Sequence, residues 1–173
     1  MASLTIRAEA PEDGPAIAEV TASAFGKERE ARMVDAIRRS GGYVPELSLV
    51  AELRGRVVAH VMLSYVGLAG DERRVLELGP MSVTPERQRQ GIGSALVREA
   101  LRLAEERGEP LVLVLGHASY YPRFGFRPAA KLGIVPPDPS IRDEFFMAVP
   151  LKAYDPTLRG RVVFPPAFTD EPD

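Results

Sequence analysis

Residues 77–96 read Glu77-Leu-Gly-Pro-Met-Ser-Val-Thr-Pro-Glu-Arg-Gln-Arg-Gln-Gly-Ile-Gly-Ser-Ala-Leu96, and two periodicities meet within them. The run from Leu76 to Val83 is short and mostly apolar, which predicts a strand. From Ile92 onward, apolar residues recur at helical spacing until Gly108 ends the pattern. A polar turn containing glycine therefore joins the end of a strand to the start of a helix.

This turn has the features of a phosphate site. The first amides of a helix have no acceptor within the helix, and the aligned peptide dipoles leave partial positive charge there. Gly91 and Gly93 present no side chain to an approaching anion, and Arg87 and Arg89 add positive charge beside them. The alternative is that the two glycines only permit a tight turn, and the glycines alone favour neither interpretation.

Two common phosphate motifs are absent. No G-x-x-x-x-G-K-[ST] run occurs, and the dinucleotide fingerprint would need glycine or alanine where Leu96 stands. What remains is Gln88-x-x-Gly91-x-Gly93 between a strand and an amphipathic helix. This pattern resembles the acetyl-CoA signature [RQ]-x-x-G-x-[GA] of the GNAT superfamily of N-acetyltransferases.

Composition limits the expected domain count, partners, metal sites and cellular location. A length of 173 residues suits one domain, and a net charge of −2 argues against nucleic acid or an anionic membrane as a partner. The absence of cysteine excludes disulfides and thiolate chemistry, and two histidines make a metal site unexpected. The N-terminal residues lack the pattern of a signal peptide, so we expect a cytoplasmic protein without metal.

The order of the predicted strands and helices along the chain indicates an α/β (α+β) fold with a mixed sheet and helices on both of its faces. The GNAT fold has the same order of elements, and the resemblance implies a central sheet of six to seven strands. The resemblance extends over roughly residues 4–151. We predict a single domain at residues 1–154 and a C-terminal extension at residues 155–173, which could add an edge strand or cross to another subunit. The predicted elements are strands at 4–8, 47–53, 57–66, 76–83, 111–115 and 144–151, helices at 16–25, 28–40 and 92–108, and a polar loop at 67–74.

Gly79-Pro80 interrupts the predicted strand, because proline has no amide to donate. The pair indicates an edge strand, a wrongly assigned strand or a bulge that splays this strand from its neighbour, and we favour the bulge. In the GNAT fold such a splay admits the pantetheine arm. The resemblance implies pantetheine contacts from Met81, Ser82 and Val83. It implies a pyrophosphate seat formed by Gln88, Arg89, Gln90, Gly91, Ile92, Gly93 and Ser94.

Tyr121 stands four residues before Gly125-Phe126, a spacing at which GNAT proteins commonly carry a tyrosine near the thioester sulfur; Tyr120 does not fit it. The resemblance therefore implies that Tyr121 contacts the cofactor and acts in catalysis. A phenol within hydrogen-bond reach can protonate the leaving thiolate when the tetrahedral intermediate collapses. The alternative is that both tyrosines only fill the core.

Transfer to an amine also needs a base, because alkyl ammonium groups have pKa values near ~10.4 and are not nucleophilic. By position before Val83, Glu77 matches the glutamate base of the family's histone acetyltransferases. The alternative is a solvated carboxylate that pairs with Arg73 or Arg74.

Two further residues are candidates for the substrate side. His117 follows the parallel strand where many relatives carry asparagine, and it could bind substrate, relay a proton or cap the next turn. Phe25 begins the segment 25–32, which with the loop 67–74 is expected to shape the acceptor groove. The mixed charges there name no acceptor. His60 alternates within a strand and is interpreted as structural.

The chain also resembles a bacterial subgroup of the family, the YhbS-like proteins, in the blocks 45–52, 78–80 and 115–126. The resemblance implies an enzyme that moves an acetyl or short acyl group from acetyl-CoA to a primary amine of a small molecule or protein. Transfer would occur by direct attack in a ternary complex. The alternatives are a regulatory module that binds acyl-CoA without transfer and a nucleotide-phosphate-binding domain. GNAT proteins often dimerise through late strands, so a homodimer using the segment 162–164 is a further expectation.

Overall fold

The computed structural model describes residues 3–169. The helices are α1 (Gly14–Phe25), α2 (Arg29–Arg38), α3 (Ile92–Glu106) and the short α4 (Pro166–Thr169). The strands are β1 (Leu4–Ala8), β2 (Ser48–Leu53), β3 (Arg56–Leu68), β4 (Asp71–Val83), β5 (Leu111–Leu115), β6 (Arg127–Pro128), β7 (Ile134–Val135), β8 (Phe146–Pro150) and β9 (Gly160–Val163).

The strands form one mixed sheet in the order β1-β2-β3-β4-β5-β8-β6, with β9 joined to β3 and β7 beside this path. Neighbours along the path run antiparallel except β4 and β5, which α3 connects and which run parallel. Leu76 lies opposite Val112 and Leu78 lies opposite Val114 in this parallel pair. The predicted mixed sheet is confirmed.

The two faces of the sheet carry different layers. The apolar stripe of α3, including Leu96 and Ala100, packs on the face that bears Leu63 and Leu76. On the opposite face, α1 and α2 contribute buried residues that pack with Met62 of β3. A third cluster on that second face lies under the C-terminal half of the chain. Burial of these apolar side chains supplies most of the stabilisation.

A β-bulge opens the sheet at the predicted place. Val61 lies opposite Met81 and Leu63 lies opposite Leu78, so two residues of β4, Gly79 and cis-Pro80, face a single residue of β3. The pairing of β4 with β5 ends at Leu78, whereas β4 continues to Val83. The ladder between these parallel strands therefore ends just where the bulge lies, and the bulge itself is confirmed.

The predicted loop at 67–74 is wrong. β3 runs through Leu68 and β4 begins at Asp71, so Ala69 and Gly70 form a two-residue hairpin turn. Gly70 has φ 77°, in the left-handed region that such a turn requires. The charged residues that suggested a loop lie on the exposed end of a long hairpin.

The C-terminal extension joins the sheet. Val162 and Val163 of β9 lie opposite Leu68 and Gly67 at the end of β3, and β9 also runs parallel to β7. Leu158 and Val162 are buried in the third cluster. The part of the extension that follows Thr169 lies outside the described residues.

Candidate active site

The turn before α3 borders a cavity of about 450 Å³. Gly91 caps the helix with φ 83°, a conformation that side chains disfavour, and α3 begins at Ile92. Most of the predicted cofactor residues line this cavity: Met81, Val83, Gln88, Arg89, Gly91, Ile92, Gly93 and Ser94. Arg87, Tyr120 and Arg123 complete the lining.

Three predicted cofactor residues are not part of this lining. Ser82 is buried on the other face of the sheet, where its Oγ lies 3.3 Å from Thr21 Oγ1 of α1. Because Thr21 donates its own proton to the carbonyl of Ile17, Ser82 is the donor in this contact. Gln90 is exposed and donates to the carbonyl of Glu86. The third residue, Tyr121, is buried behind the cavity wall.

The two tyrosines have different surroundings. Tyr120 faces the cavity, with its hydroxyl 3.0 Å from Ser94 Oγ and the Arg123 guanidinium 4.5 Å from its ring centroid. Sequence reasoning set Tyr120 aside on spacing. The adjacent pair Tyr120-Tyr121 could have indicated both residues, because neighbouring side chains on a short turn point in different directions and can contact different parts of a site.

Tyr121 begins the 3₁₀ turn Tyr121–Phe124 and is 8% exposed. Its ring meets Phe126 edge-on at 5.6 Å between centroids, and a Cβ on Gly116 would lie 2.4 Å from Tyr121 Cε2. Burial raises the pKa of the Tyr121 phenol, and Tyr120 and the charge of Glu77 raise it further. Tyr121 therefore stays protonated at neutral pH and has a proton to donate.

Glu77 lies in the middle of β4 and is 4% exposed. It stands directly opposite Ser64 of β3 and Leu113 of β5. Among the described residues, neither Glu77 Oε2 nor Ser64 Oγ finds a hydrogen-bond partner. Burial alone raises the pKa of the Glu77 carboxyl to about 8, so the group is mostly neutral at pH 7.

The alternative of a solvated Glu77 paired with an arginine is wrong. Arg73 pairs with Asp71 and Asp155, and Arg74 lies over the Tyr65 ring. Because β4 starts earlier than predicted, Glu77 is an interior residue of the strand and not a strand end.

The two predicted substrate residues lie at the surface. His117 is exposed, and its main-chain carbonyl accepts hydrogen bonds from the amides of Tyr120 (3.1 Å) and Tyr121 (3.3 Å). It thereby begins the turn that places both tyrosines. Phe25 is 41% exposed at the C-terminal end of α1. Among residues 3–169, no hydrogen bond or ring contact brings either side chain to Glu77 or Tyr121.

His60 belongs to a buried network instead. Its Nε2 lies 2.9 Å from Ser48 Oγ, which donates its proton to Glu9, so Nε2 is the donor to Ser48. Burial lowers the pKa of His60 to about 4 and keeps the ring neutral. Glu9 is held in turn by Arg38 and Tyr43. This network agrees with the structural interpretation of His60.

Over the part of the chain that the structure describes, no group of histidine, aspartate and glutamate side chains could hold a metal ion. Within the same residues, no helix is long and apolar enough to cross a membrane.

The cavity thus combines a glycine-containing helix N-terminus, arginine side chains and the end of β4 that has no β5 partner, an arrangement suited to an anionic ligand. A sequence model described as the acetyltransferase (GNAT) family matches residues 14–126. The chain belongs to this family of acetyltransferases, which confirms the predicted family, fold and enzyme class.

Individual similar proteins and solved structures support the same family. YjhQ, an uncharacterized N-acetyltransferase of Escherichia coli K12, is 35% identical over 155 residues, which cover 87% of this chain and 86% of YjhQ. The structure of the GNAT family N-acetyltransferase YhbS from Escherichia coli in complex with CoA superposes with a TM-score of 0.89 at 28% identity, covering 98% of this chain and 94% of YhbS. A GNAT family acetyltransferase from Brucella melitensis in complex with acetyl-CoA has a TM-score of 0.80 at 33% identity, covering 96% of this chain and 98% of that one.

Proposed function

We propose that this chain transfers an acetyl group from acetyl-CoA to a primary amine of a small molecule or protein, by direct attack in a ternary complex. The observation that carries the proposal is the unpaired end of β4, which lines the cavity at the α3 N-terminus with Met81 and Val83. The similar structures with bound CoA and acetyl-CoA support the same donor.

The residues of the cavity fit this donor. The free amides of α3 and its dipole suit a pyrophosphate, and Arg87, Arg89 and Arg123 supply positive charge along the lining. From Met81 to Val83, β4 has no β5 partner. Its main chain on that side can therefore bind the amides of a pantetheine arm as a neighbouring strand would.

The chemistry then follows from two side chains. A new C–N bond forms as the amine attacks the thioester carbonyl, and the C–S bond breaks as the intermediate collapses. Ionised Glu77 accepts the proton of the acceptor ammonium, directly or through water, and the Tyr121 phenol donates a proton to the leaving sulfur. The nitrogen loses its second proton to the Tyr121 oxygen, which restores the phenol and leaves the neutral amide. Because the pKa of Glu77 is raised to about 8, the competent ionised form increases as pH rises toward that value.

The first test is thermal unfolding with acetyl-CoA, with ATP and without ligand. A ligand at about 100 times its Kd stabilises the native state by about 2.7 kcal/mol. We expect acetyl-CoA to raise the Tm of the wild type but not of Gly91→Glu, whose carboxylate would enter the cavity. Gly108→Glu is the matched control, because Gly108 also has positive φ (80°) and open space but lies beyond the other end of α3.

The result that contradicts the proposal is a Tm raised by ATP and unchanged by acetyl-CoA, which would favour a nucleotide-phosphate site. A binding module without transfer is less well supported, because it gives no role to a buried, unpartnered Glu77. Release of CoA thiol in the presence of a panel of amines separates the module from the enzyme. A cytoplasmic location and a homodimer remain predictions.

A further inference from the structure

Glu77 and Ser64 lie on the face of the sheet opposite α3. Directly paired residues of neighbouring strands share a face, and so do residues two apart on one strand. Leu76 and Leu78 pack with α3, so Glu77 between them points to the other face, together with its opposite neighbour Ser64. Both side chains are at least nine-tenths buried, and each keeps an oxygen without a partner.

Two apolar clusters flank this polar pair. On one side lie Val66, Val75 and Leu113, which belong to the cluster under the C-terminal half of the chain. On the other side lies Met62, two residues before Ser64, in the cluster beneath α1 and α2. Glu77 and Ser64 therefore occupy the seam between two separate cores.

The C-terminal segment 160–169 crosses this seam. It begins in β9, which pairs with the end of β3, and it ends in α4, which packs against α2. Phe168 packs against both clusters, whereas Phe164 packs against the first cluster alone. The two rings stack on each other at 5.1 Å between centroids and 22° between planes. Phe168 therefore bridges the two clusters between which Glu77 and Ser64 lie.

We propose that residues 160–169 form the outer wall of the acceptor site, and that Phe168 covers the Glu77 carboxyl and receives the stem of a primary alkylammonium acceptor. This inference rests on the proposed function and adds to it the segment that forms the acceptor site. The seam offers the acceptor two unpartnered oxygens and an aromatic surface. An ammonium group has three N–H donors, and its methylene stem can pack on a phenylalanine ring. A carboxylate or phosphate at this point would be repelled by Glu77 whenever Glu77 is ionised.

The charged groups around Glu77 are few among the described residues. Its strand neighbours Ser64 and Leu113 do not titrate in the usual range, and Tyr121 is a phenol whose pKa the charge of Glu77 raises. From α2, Glu30 contributes a buried Oε2 without a hydrogen bond, while its Oε1 lies 3.7 Å from Lys27 Nζ. Because burial alone raises the pKa of Glu77, no cation among the described residues is paired with this carboxyl.

The wall can be tested without knowing the acceptor. Carboxyl ¹³C NMR would follow the Glu77 titration, assigned by its loss in Glu77→Gln. In Phe168→Ala, water should reach the carboxyl and its pKa should fall from about 8 toward the ordinary 4.5. Val135→Ala is the control, since Val135 lies in β7, outside the segment 160–169, and is 44% exposed. Phe168→Leu serves as a second variant if the alanine variant does not fold. An unchanged Glu77 titration in a folded Phe168 variant would overturn the proposal.

Kinetics with ethylamine, n-butylamine, n-hexylamine and β-alanine test the substrate class. We expect turnover of the alkylamines, little with the carboxylate-bearing β-alanine, and a KM for n-butylamine raised about tenfold in Phe168→Ala, which corresponds to about 1.4 kcal/mol. The KM for acetyl-CoA should stay unchanged, and Val135→Ala should behave as wild type. Preference for β-alanine would overturn the acceptor class. If the wild type fails to bind acetyl-CoA, the proposed function fails, while the NMR titration still decides whether Phe168 covers Glu77.

Discussion

Glu77 couples the site to the stability of the fold through its proton. A carboxyl whose pKa is raised to about 8 in the folded state, against 4.5 ordinarily, binds its proton more tightly when folded. Its contribution to stability is full below the unfolded pKa and is lost as pH rises through the folded pKa. As the pH rises from 4.5 to about 8, the wild type should therefore lose up to about 1.4 kcal/mol of unfolding free energy per pH unit.

We predict that Glu77→Gln removes this slope, because the amide is neutral at every pH. Urea unfolding at several pH values measures it directly. His60 acts in the opposite direction, since its pKa is lowered to about 4 from 6.5, so the clearest window lies between 6.5 and 8. Equal slopes for the wild type and the variant in that window would mean that Glu77 is not shielded from water.

The two tyrosines should separate in kinetics. Tyr121→Phe removes the proposed proton donor, so kcat should fall about 100-fold with little change in the KM for acetyl-CoA. Tyr120→Phe removes the contact with Ser94 in the cavity wall, so the KM for acetyl-CoA should rise with a smaller change in kcat. Steady-state thiol release measures both. Tyr43→Phe is a control, because Tyr43 bonds to Glu9 away from the cavity; the reverse pattern would exchange the two roles.

For single residues, the sequence indicated which side chains are candidates for the site but not how deeply each is buried. The spacing to Gly125-Phe126 selects Tyr121, and the position before Val83 selects Glu77. Neither pattern contains the burial that changes their pKa values, since burial depends on chain segments far away in sequence. Tyr120 was set aside because a spacing rule describes one position and not the direction of its neighbour.

Among the elements, the turn between β5 and Tyr121–Phe124 sets the position of the tyrosine ring. A Cβ on Gly116 would lie 2.4 Å from Tyr121 Cε2 and 2.9 Å from Cδ2, so the ring would have to move. We predict that Gly116→Ala lowers kcat as Tyr121→Phe does and destabilises the fold by about 1–3 kcal/mol. Gly41→Ala is the matched control, because a Cβ there meets nothing within 4 Å. Thermal unfolding and thiol release check the two effects, and normal activity of a folded Gly116→Ala would show that the ring position is not critical.

The β4 bulge shows what a local pattern can predict about an element. Gly79-Pro80 was enough to predict an irregularity, because proline cannot donate to a ladder. The neighbouring hairpin was missed, since the charged residues 71–74 form the start of β4 at the end of the hairpin and resemble a loop. Amphipathic periodicity identified α3 correctly because its whole apolar stripe contacts the sheet.

On the scale of the whole molecule, the sequence predicted the element order but left the C-terminal extension open. β9 spans only Gly160–Val163 and pairs with β3 and β7, partners remote in the chain. Such short, non-local pairing leaves no periodic pattern to read. The position of β9 depends on tertiary packing, because Leu158 and Val162 pack beside β3 and β8 in the third cluster.

If the extension is part of the fold, a cavity made within it should destabilise the whole molecule. Leu158 is 2% exposed and packs in the same cluster as Val66, Val75 and Leu113. We predict that Leu158→Ala lowers the unfolding free energy by about 2–5 kcal/mol, in one cooperative transition seen by both far-UV circular dichroism and tyrosine fluorescence. Val135→Ala, at a position 44% exposed, should change it by less than about 0.5 kcal/mol. A Leu158→Ala variant as stable as Val135→Ala would instead make residues 155–173 a peripheral addition to a domain that ends at 154. The wall over Glu77 would then be only loosely held, since Leu158 and Val162 anchor the segment that carries Phe168.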